Sequence, residues 1–375
     1  MNTTTTGPTD GPPPRLTGSP LTLRRQLIFW TCALLVFIAL LWLLGDVLMP
    51  FIAGMALAYL LDPLVRYVER LGLSRAISSV VVVLAFILLI ALALILLLPI
   101  LAEQVADFVA RVPQYVERLR QLITDASQGW LGQYLGEKLP EAQKSAGTVA
   151  ATAASWAGAF IGSLWTGGRA LVSVVSLVII TPIVAFYLLL DWPRMLETID
   201  AWTPVHHRET VRKLAREMDR AIAGFVRGQA IVCMILGTFY AVALMLMGVN
   251  FGLLIGITAA ILGFAPYVGT ITGFLLAVGV ATAQFWPDWH MPALAAAVFM
   301  VGQFVEGNIL QPQLVGKEIG LHPVWLMFSL LAFAYLFGFV GLLVAVPVAA
   351  AIGVLVRFLL RQYLASSYYT GGKLG

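Results

Sequence analysis

The stretch FGLLIGITAAILGFAPYVGTITGFLLAVGVATAQF, residues 251–285, is almost wholly apolar, yet it does not read as one membrane-crossing helix. A straight crossing of the hydrocarbon layer takes about 20 apolar residues. Here the first run, 251–264, has only 14 and stops just before Pro266, and a second run, 268–285, follows at once. The pattern recurs downstream, where 324–337 is again 14 residues, Gly338 and Gly341 interrupt it, and 340–360 resumes. Short apolar pieces broken by Gly and Pro point to helical hairpins or half-helices, because non-helical backbone survives at membrane depth only where protein or water covers it. If each pair enters and leaves on one side, the run 291–305 is the crossing that separates them.

Composition sets the solvent. Of 375 residues, 60% are hydrophobic and 11% charged, against roughly 25% charged in soluble domains. So little ionic surface cannot solvate a compact particle, and lipid is the partner for much of the chain. The net charge of +4 is small and the basic residues gather beside apolar runs, which argues against nucleic-acid binding. Cys32 and Cys233 lie inside apolar runs and read as small core residues, so a disulfide scaffold is excluded.

Lys and Arg orient the segments, since cytoplasmic loops carry an excess of them. Residues 1–23, rich in Thr, Pro and Gly, are expected to form a disordered cytoplasmic tail. Section 24–102 holds N-terminal transmembrane helices, with Arg66, Arg70 and Arg75 marking a cytoplasmic loop before the long run 76–102. In section 103–168, Val105, Phe108, Val109, Val112 and Val116 recur at helical spacing among charged residues with no basic excess, which reads as an external amphipathic helix. Section 169–362 is the core region, with a crossing at 170–190, a basic loop, a return at 221–247 and then the broken pieces. Residues 363–375 form a short cytoplasmic tail, and both termini fall inside. The expected fold class is an all-α integral membrane protein with about eight hydrophobic segments, two of them broken or hairpin-like, plus the external amphipathic helix.

Several chemistries fail for want of motifs. Without GxxxxGK[ST] nothing cradles ATP phosphates, and HExxH, GxSxG and CxxC patterns are missing too. His206, His207, His290 and His322 lack ligand spacing, so neither metal nor cofactor is expected. Polar groups instead collect beside the broken helices. In GFAPYVGTITG (263–273), Pro266 removes a backbone donor and Gly269 loosens the helix, while Tyr267 and Thr270 supply hydroxyls. In GQFVEGNILQPQLVGKEIGLHP (302–323), Gln303, Glu306, Asn308 and Gln311 crowd around Pro312. Such groups at the end of a span are costly unless they meet water, each other or a ligand. Asp62, just before Pro63, reads as a turn or helix-capping residue, and Arg227, inside a predicted span, must either snorkel to the interface or pair with a partner elsewhere in the chain.

These landmarks resemble the autoinducer-2 exporter family of bacterial membrane proteins over roughly residues 20–362. The carriers are DPLVRYVERLGLSR (62–75), Arg227-Gly228-Gln229, PYVG (266–269), and above all EGNILQPQLVG running into GLHP, followed later by GLLVAVPVAA (341–350). Where many relatives carry a branched residue before PYVG and a proline after it, this chain has Ala265 and Thr270. The resemblance implies a homo-oligomeric secondary transporter, not an enzyme, that exports a small hydrophilic solute across the bacterial inner membrane by alternating access. Tyr267, Thr270, Gln303, Asn308 and Gln311 are then candidates for solute contact, Glu306 for coupling to H⁺ or Na⁺, and Pro266, Gly269, Pro312, Gly338 and Gly341 for hinges. Two alternatives remain: a sodium/proton antiporter on the same scaffold, and a non-transporting membrane scaffold.

Overall fold

The computed structural model describes residues 43–128, 168–315 and 322–366, isolated positions between 25 and 40, and residue 369. The expected tail 1–23, most of the first apolar run and the rest of the external section beyond residue 128 lie outside these residues. Met1–Leu48 and Met49–Gly375 are separate compact units, and the second carries the features below. Among the described residues the fold is all-α. The helices are α1 (Gly45–Glu69), α2 (Arg75–Gln128), α3 (Gly168–Trp202), α4 (Arg208–Leu246), α5 (Gly252–Leu262), α6 (Val268–Phe285), α7 (His290–Val305), a π-helix (Glu306–Val315) and α8 (Pro323–Leu364). A 3₁₀ turn, Val205–His207, joins α3 to α4.

Among the described residues, seven segments are long and apolar enough to cross a membrane, and Gly252–Leu262 and Val324–Gly338 are shorter apolar helices. Large apolar side chains face outward along them, as with Leu88 and Ile95 of α2, both 71% exposed. A soluble particle does not present such a surface. The chain is a multi-pass membrane protein.

Helix α4 organises the C-terminal half. Its buried residues Phe225, Gln229, Val232, Leu236, Tyr240 and Leu244 recur every three or four positions, so one stripe of the helix faces the core. Hairpin α5–α6 packs on that stripe. Gly252 sits on Leu244, Gly256 on Ala241 and Gly263 near Cys233, so α5 runs antiparallel to α4. The chain turns at 263–267, and α6 returns along α5 with Gly273 against Ala259 and Phe299. Gln284 of α6 then donates to the Gly248 carbonyl at 2.9 Å and accepts from the Asn250 amide at 2.8 Å. The hairpin therefore enters and leaves on one side. Its tip, level with Cys233, lies about 20 Å from Met247 along α4 at 1.5 Å per residue.

A second hairpin approaches from the opposite end. Helix α8 contains Gly338 at φ 60°, ψ −139°, a backbone open to glycine but not to residues with a Cβ. A Cβ on Gly341 would strike the Phe333 carbonyl. Residues eight apart in a straight helix are separated by about 12 Å, so α8 folds back on itself here. Its far end, with Phe358 and Arg361, lies beside Lys213 and Glu217 near the start of α4. In the chain, helix α7 and the π-helix connect the two hairpins.

The apolar core forms two clusters, one from α1–α3 around Leu61, Val65, Val82, Ala185 and Leu189, the other from α4 through α8 around Phe225, Tyr240, Ile255, Phe299 and Val346. One sequence expectation changes here. The run 76–102 and the amphipathic segment beginning at 103 form a single 54-residue helix, α2. Polarity changes at residue 103 while the backbone does not break, and Pro99 and Pro113 both lie inside the helix. Beyond the apolar run, Phe108 and Tyr115 pack edge-on against Phe251 at 5.3 and 6.4 Å, and Gln104 accepts from the Leu254 amide at 3.0 Å, capping α5.

Close glycine contacts between α4 and α5 leave no room for a branched side chain. Gly256→Val, which forces Cβ onto the Ala241 backbone, is expected to cost about 1–3 kcal/mol. Gly279→Ala enters open space in α6 and should instead raise stability by up to about 1 kcal/mol. Thermal unfolding of the detergent-solubilised protein checks both signs.

Candidate functional site

The tip of hairpin α5–α6 has a backbone problem that α4 solves. Gly263 and Pro266 end the helical ladder, leaving carbonyls without partners inside the membrane. The amide of Gln229, 1% exposed on the α4 stripe, donates to the Gly263 carbonyl at 2.6 Å. Tyr267 opens α6 at φ 70°, ψ −31°, a conformation that costs a bulky residue on the order of 1–3 kcal/mol. Gly269 lets the turn close, since a Cβ there would meet the Gly263 nitrogen and the Ala259 carbonyl.

Thr270, in the first turn of α6, donates its hydroxyl to Glu306 Oε2 at 3.3 Å. Gln311 donates from Nε2 to the other carboxylate oxygen at 3.3 Å. The π-helix makes that second bond possible. Residues five apart in an α-helix point about 140° away from each other, whereas the i→i+5 winding of a π-helix stacks them. Glu306 is 6% exposed. Its two bonds leave part of a carboxylate's acceptor capacity unused, and among the described residues no Lys, Arg or His pairs with it.

Tyr240 closes the other wall. Its ring stacks on Phe299 with centroids 4.2 Å apart and planes 10° apart, lying over Gly302 where any Cβ would collide with it. The Tyr240 hydroxyl is buried with no hydrogen-bond partner among the described residues. Glu306, Thr270, Tyr267, Tyr240, Gln229 and Cys233 border a void of about 10 Å³. That is room for about one water molecule. Among the described residues no group of three His, Cys, Asp or Glu stands ready to hold a metal ion.

The structure thus brings Thr270, Glu306 and Gln311 into direct contact and sets Tyr267 beside them. Gln303 and Asn308 lie elsewhere: both are exposed, and Asn308 donates to the Phe304 carbonyl at the end of α7 at 3.0 Å. Of the expected hinges, Pro266 is buried at the hairpin tip, Gly269 closes it, Pro312 is exposed within the π-helix, and Gly338 and Gly341 form the turn of α8. Gln229, Cys233 and Tyr240 join the site without having been singled out for it. Two of them, Gln229 and Tyr240, sit on the three-to-four-residue stripe of α4, which was the available signal.

Asp62 is neither a turn nor a cap. It lies within α1, 14% exposed, with guanidinium groups of Arg66, Arg75 and Arg227 at 2.9, 3.6 and 3.5 Å. Arg227 also donates to the Tyr59 carbonyl at 2.7 Å, so the partner missing from the sequence is α1.

Gln229→Leu keeps the volume but strands the Gly263 carbonyl. An unsatisfied buried acceptor costs about 1–3 kcal/mol, so the thermal unfolding midpoint of the variant is expected to fall, whereas Gln229→Glu, whose protonated form can still donate, should lose less.

The comparisons with known proteins agree with this architecture. A family model described as "AI-2E family transporter" matches residues 32–361. The chain is 27% identical over 332 residues to "Putative transport protein YrrI" of Bacillus subtilis (strain 168), covering 86% of this chain and 89% of that one. It is 26% identical over 309 residues to "Putative permease PerM" of Escherichia coli (strain K12), covering 82% and 86%. It is 32% identical over 189 residues to "Putative transport protein sll0060" of Synechocystis, covering 50% and 52%. With nearly nine-tenths of its length inside the family model, this protein belongs to the AI-2E transporter family.

Proposed function

We propose that the protein is a secondary transporter that exports a small hydrophilic, hydroxylated solute of the autoinducer-2 type across the bacterial inner membrane by alternating access. Both termini lie in the cytoplasm, and the protein works as a homo-oligomer. The observation that carries this reading is Glu306: a buried carboxylate at the tip of a membrane-embedded hairpin, held by Thr270 and Gln311 and lacking a counter-cation among the described residues. A buried, unpaired charge is expensive. A proton or a monovalent cation neutralises it, and a void of about 10 Å³ suits an ion while excluding an organic solute. The coupling ion therefore occupies the closed tip, and the solute enters once the hairpin moves away from α4 and α7. Tyr267, strained and 51% exposed, stands where that separation begins.

The same observation favours a second reading, sodium/proton exchange. The carboxylate oxygens of Glu306 and the hydroxyl oxygen of Thr270 are hard ligands of the kind Na⁺ takes. Purified protein in liposomes, tested with hydroxylated metabolites and with Na⁺ under imposed pH and sodium gradients, separates the two. In the export reading, Glu306→Gln removes the dependence of solute flux on the gradient, lowering driven flux by about tenfold or more, while downhill exchange persists. Sodium flux lost in Glu306→Gln with driven solute efflux intact makes the protein an antiporter. If nothing moves under any gradient, the transport reading fails.

Substitution by position gives a second check. Thr270→Val removes a hydroxyl from Glu306 and is expected to shift the ion dependence of flux. Gln303→Ala and Asn308→Ala, on the exposed side of α7 and the π-helix, should leave flux within about twofold of the unmodified protein.

A further inference from the structure

Away from the hairpin tip, where the α1–α3 cluster meets α4, lies a cavity of about 650 Å³. Asp62 and its three guanidinium neighbours line it. Its rim adds Arg70 and Arg220, neither of which has an acidic partner among the described residues. Five arginines thus line the cavity against two carboxylates, Asp62 and Asp219. Glu69 adjoins it and pairs with Arg75 at 3.4 Å, which still leaves two positive charges in excess. Asp219 is itself engaged, accepting from the Tyr59 hydroxyl at 3.1 Å. The remaining wall is apolar and aromatic, with Trp192 edge-on to Tyr59 at 6.1 Å and Met55 and Leu188 beside them.

Several of these arginines are held in place by the fold. Arg75 of α2 donates to the Leu189 carbonyl of α3 at 2.8 Å and Arg227 of α4 to the Tyr59 carbonyl of α1 at 2.7 Å, tying the two side chains to four helices. Three carboxylates, Asp62, Asp219 and Glu69, cannot neutralise five guanidinium groups, and like charges gathered beside an apolar wall repel more strongly than they would in water. The arrangement is relieved by an anion carrying about two charges and several acceptor oxygens. Arginine forks match phosphate in both respects. We propose that this cavity is a binding site for a phosphate-bearing anion, taken either from the headgroup of an anionic phospholipid, whose chains would lie along the apolar wall, or as a free phosphate group. The site is separate from the Glu306 cluster and does not depend on the transport reading.

The test uses the full chain in a neutral detergent, titrated with short-chain phosphatidylglycerol, with short-chain phosphatidylcholine and with inorganic phosphate. Native mass spectrometry and the thermal unfolding midpoint report binding. Phosphatidylglycerol is expected to bind saturably and raise the midpoint, and phosphatidylcholine is not. Binding of inorganic phosphate as well identifies the free group as sufficient; binding of phosphatidylglycerol alone identifies a lipid. Arg70→Gln with Arg220→Gln should weaken binding by about tenfold or more, while Arg111→Gln with Arg118→Gln, the same change in charge outside the cavity, should not. If the cavity double variant does not remain monodisperse, Arg70→Gln alone, at an exposed position, decides by the same criterion. The proposal is overturned if the two lipids bind alike and phosphate not at all, or if cavity and control variants lose binding equally.

Discussion

A single side-chain amide makes the broken architecture possible. Inside a bilayer no water is at hand to satisfy the backbone where a helix stops, and each orphaned group costs several kcal/mol. The Gln229 amide meets the Gly263 carbonyl at that point. Its neighbours in sequence complete the arrangement, because consecutive residues on a helix face directions about 100° apart. Arg227 reaches α1, Gly228 lets the Leu314 carbonyl of the π-helix come into contact, and Gln229 holds the hairpin. Three adjacent positions of α4 thereby tie together the N-terminal helices, the π-helix and the first hairpin.

Because that tip is held from behind by α4, its front can be devoted to a charge. Glu306 meets Thr270 from the hairpin and Gln311 from its own π-turn, and so reports on the register of both elements at once. A shift of the hairpin against α7 breaks the first bond, and rewinding of the π-helix toward α geometry breaks the second. The carboxylate is thus placed where two separate rearrangements change its surroundings, and the second hairpin, entering from the opposite end, gives the bundle a matching element on the other side.

The hairpins were legible because their causes are local: Pro266 and Gly338 interrupt 14-residue runs that are too short to cross. The membrane class was legible from composition, and Glu306, Thr270 and Gln311 from polar residues in apolar surroundings. The continuity of α2 was not, since the change of polarity at residue 103 records a change of solvent and leaves the backbone intact. The role of Asp62 is not legible in the sequence because two of its three partners, Arg75 and Arg227, reach it only through packing. Gln303 and Asn308 looked equivalent to Gln311 because an α-helical wheel does not foresee a π-helix. Gln229 is part of the Arg227-Gly228-Gln229 landmark, and its place among Phe225, Val232 and Leu236 puts it on the buried face.

Helix α2 carries a mechanical corollary. From Gln104, where it caps α5, to its last residue Gln128 it extends roughly 36 Å further, beyond the part that fits in the hydrocarbon layer. It is a lever with its fulcrum at the mouth of the first hairpin. By length alone, a tilt of about 5° at Phe108 and Phe251 carries the last residue of α2, about 30 Å away, through about 3 Å.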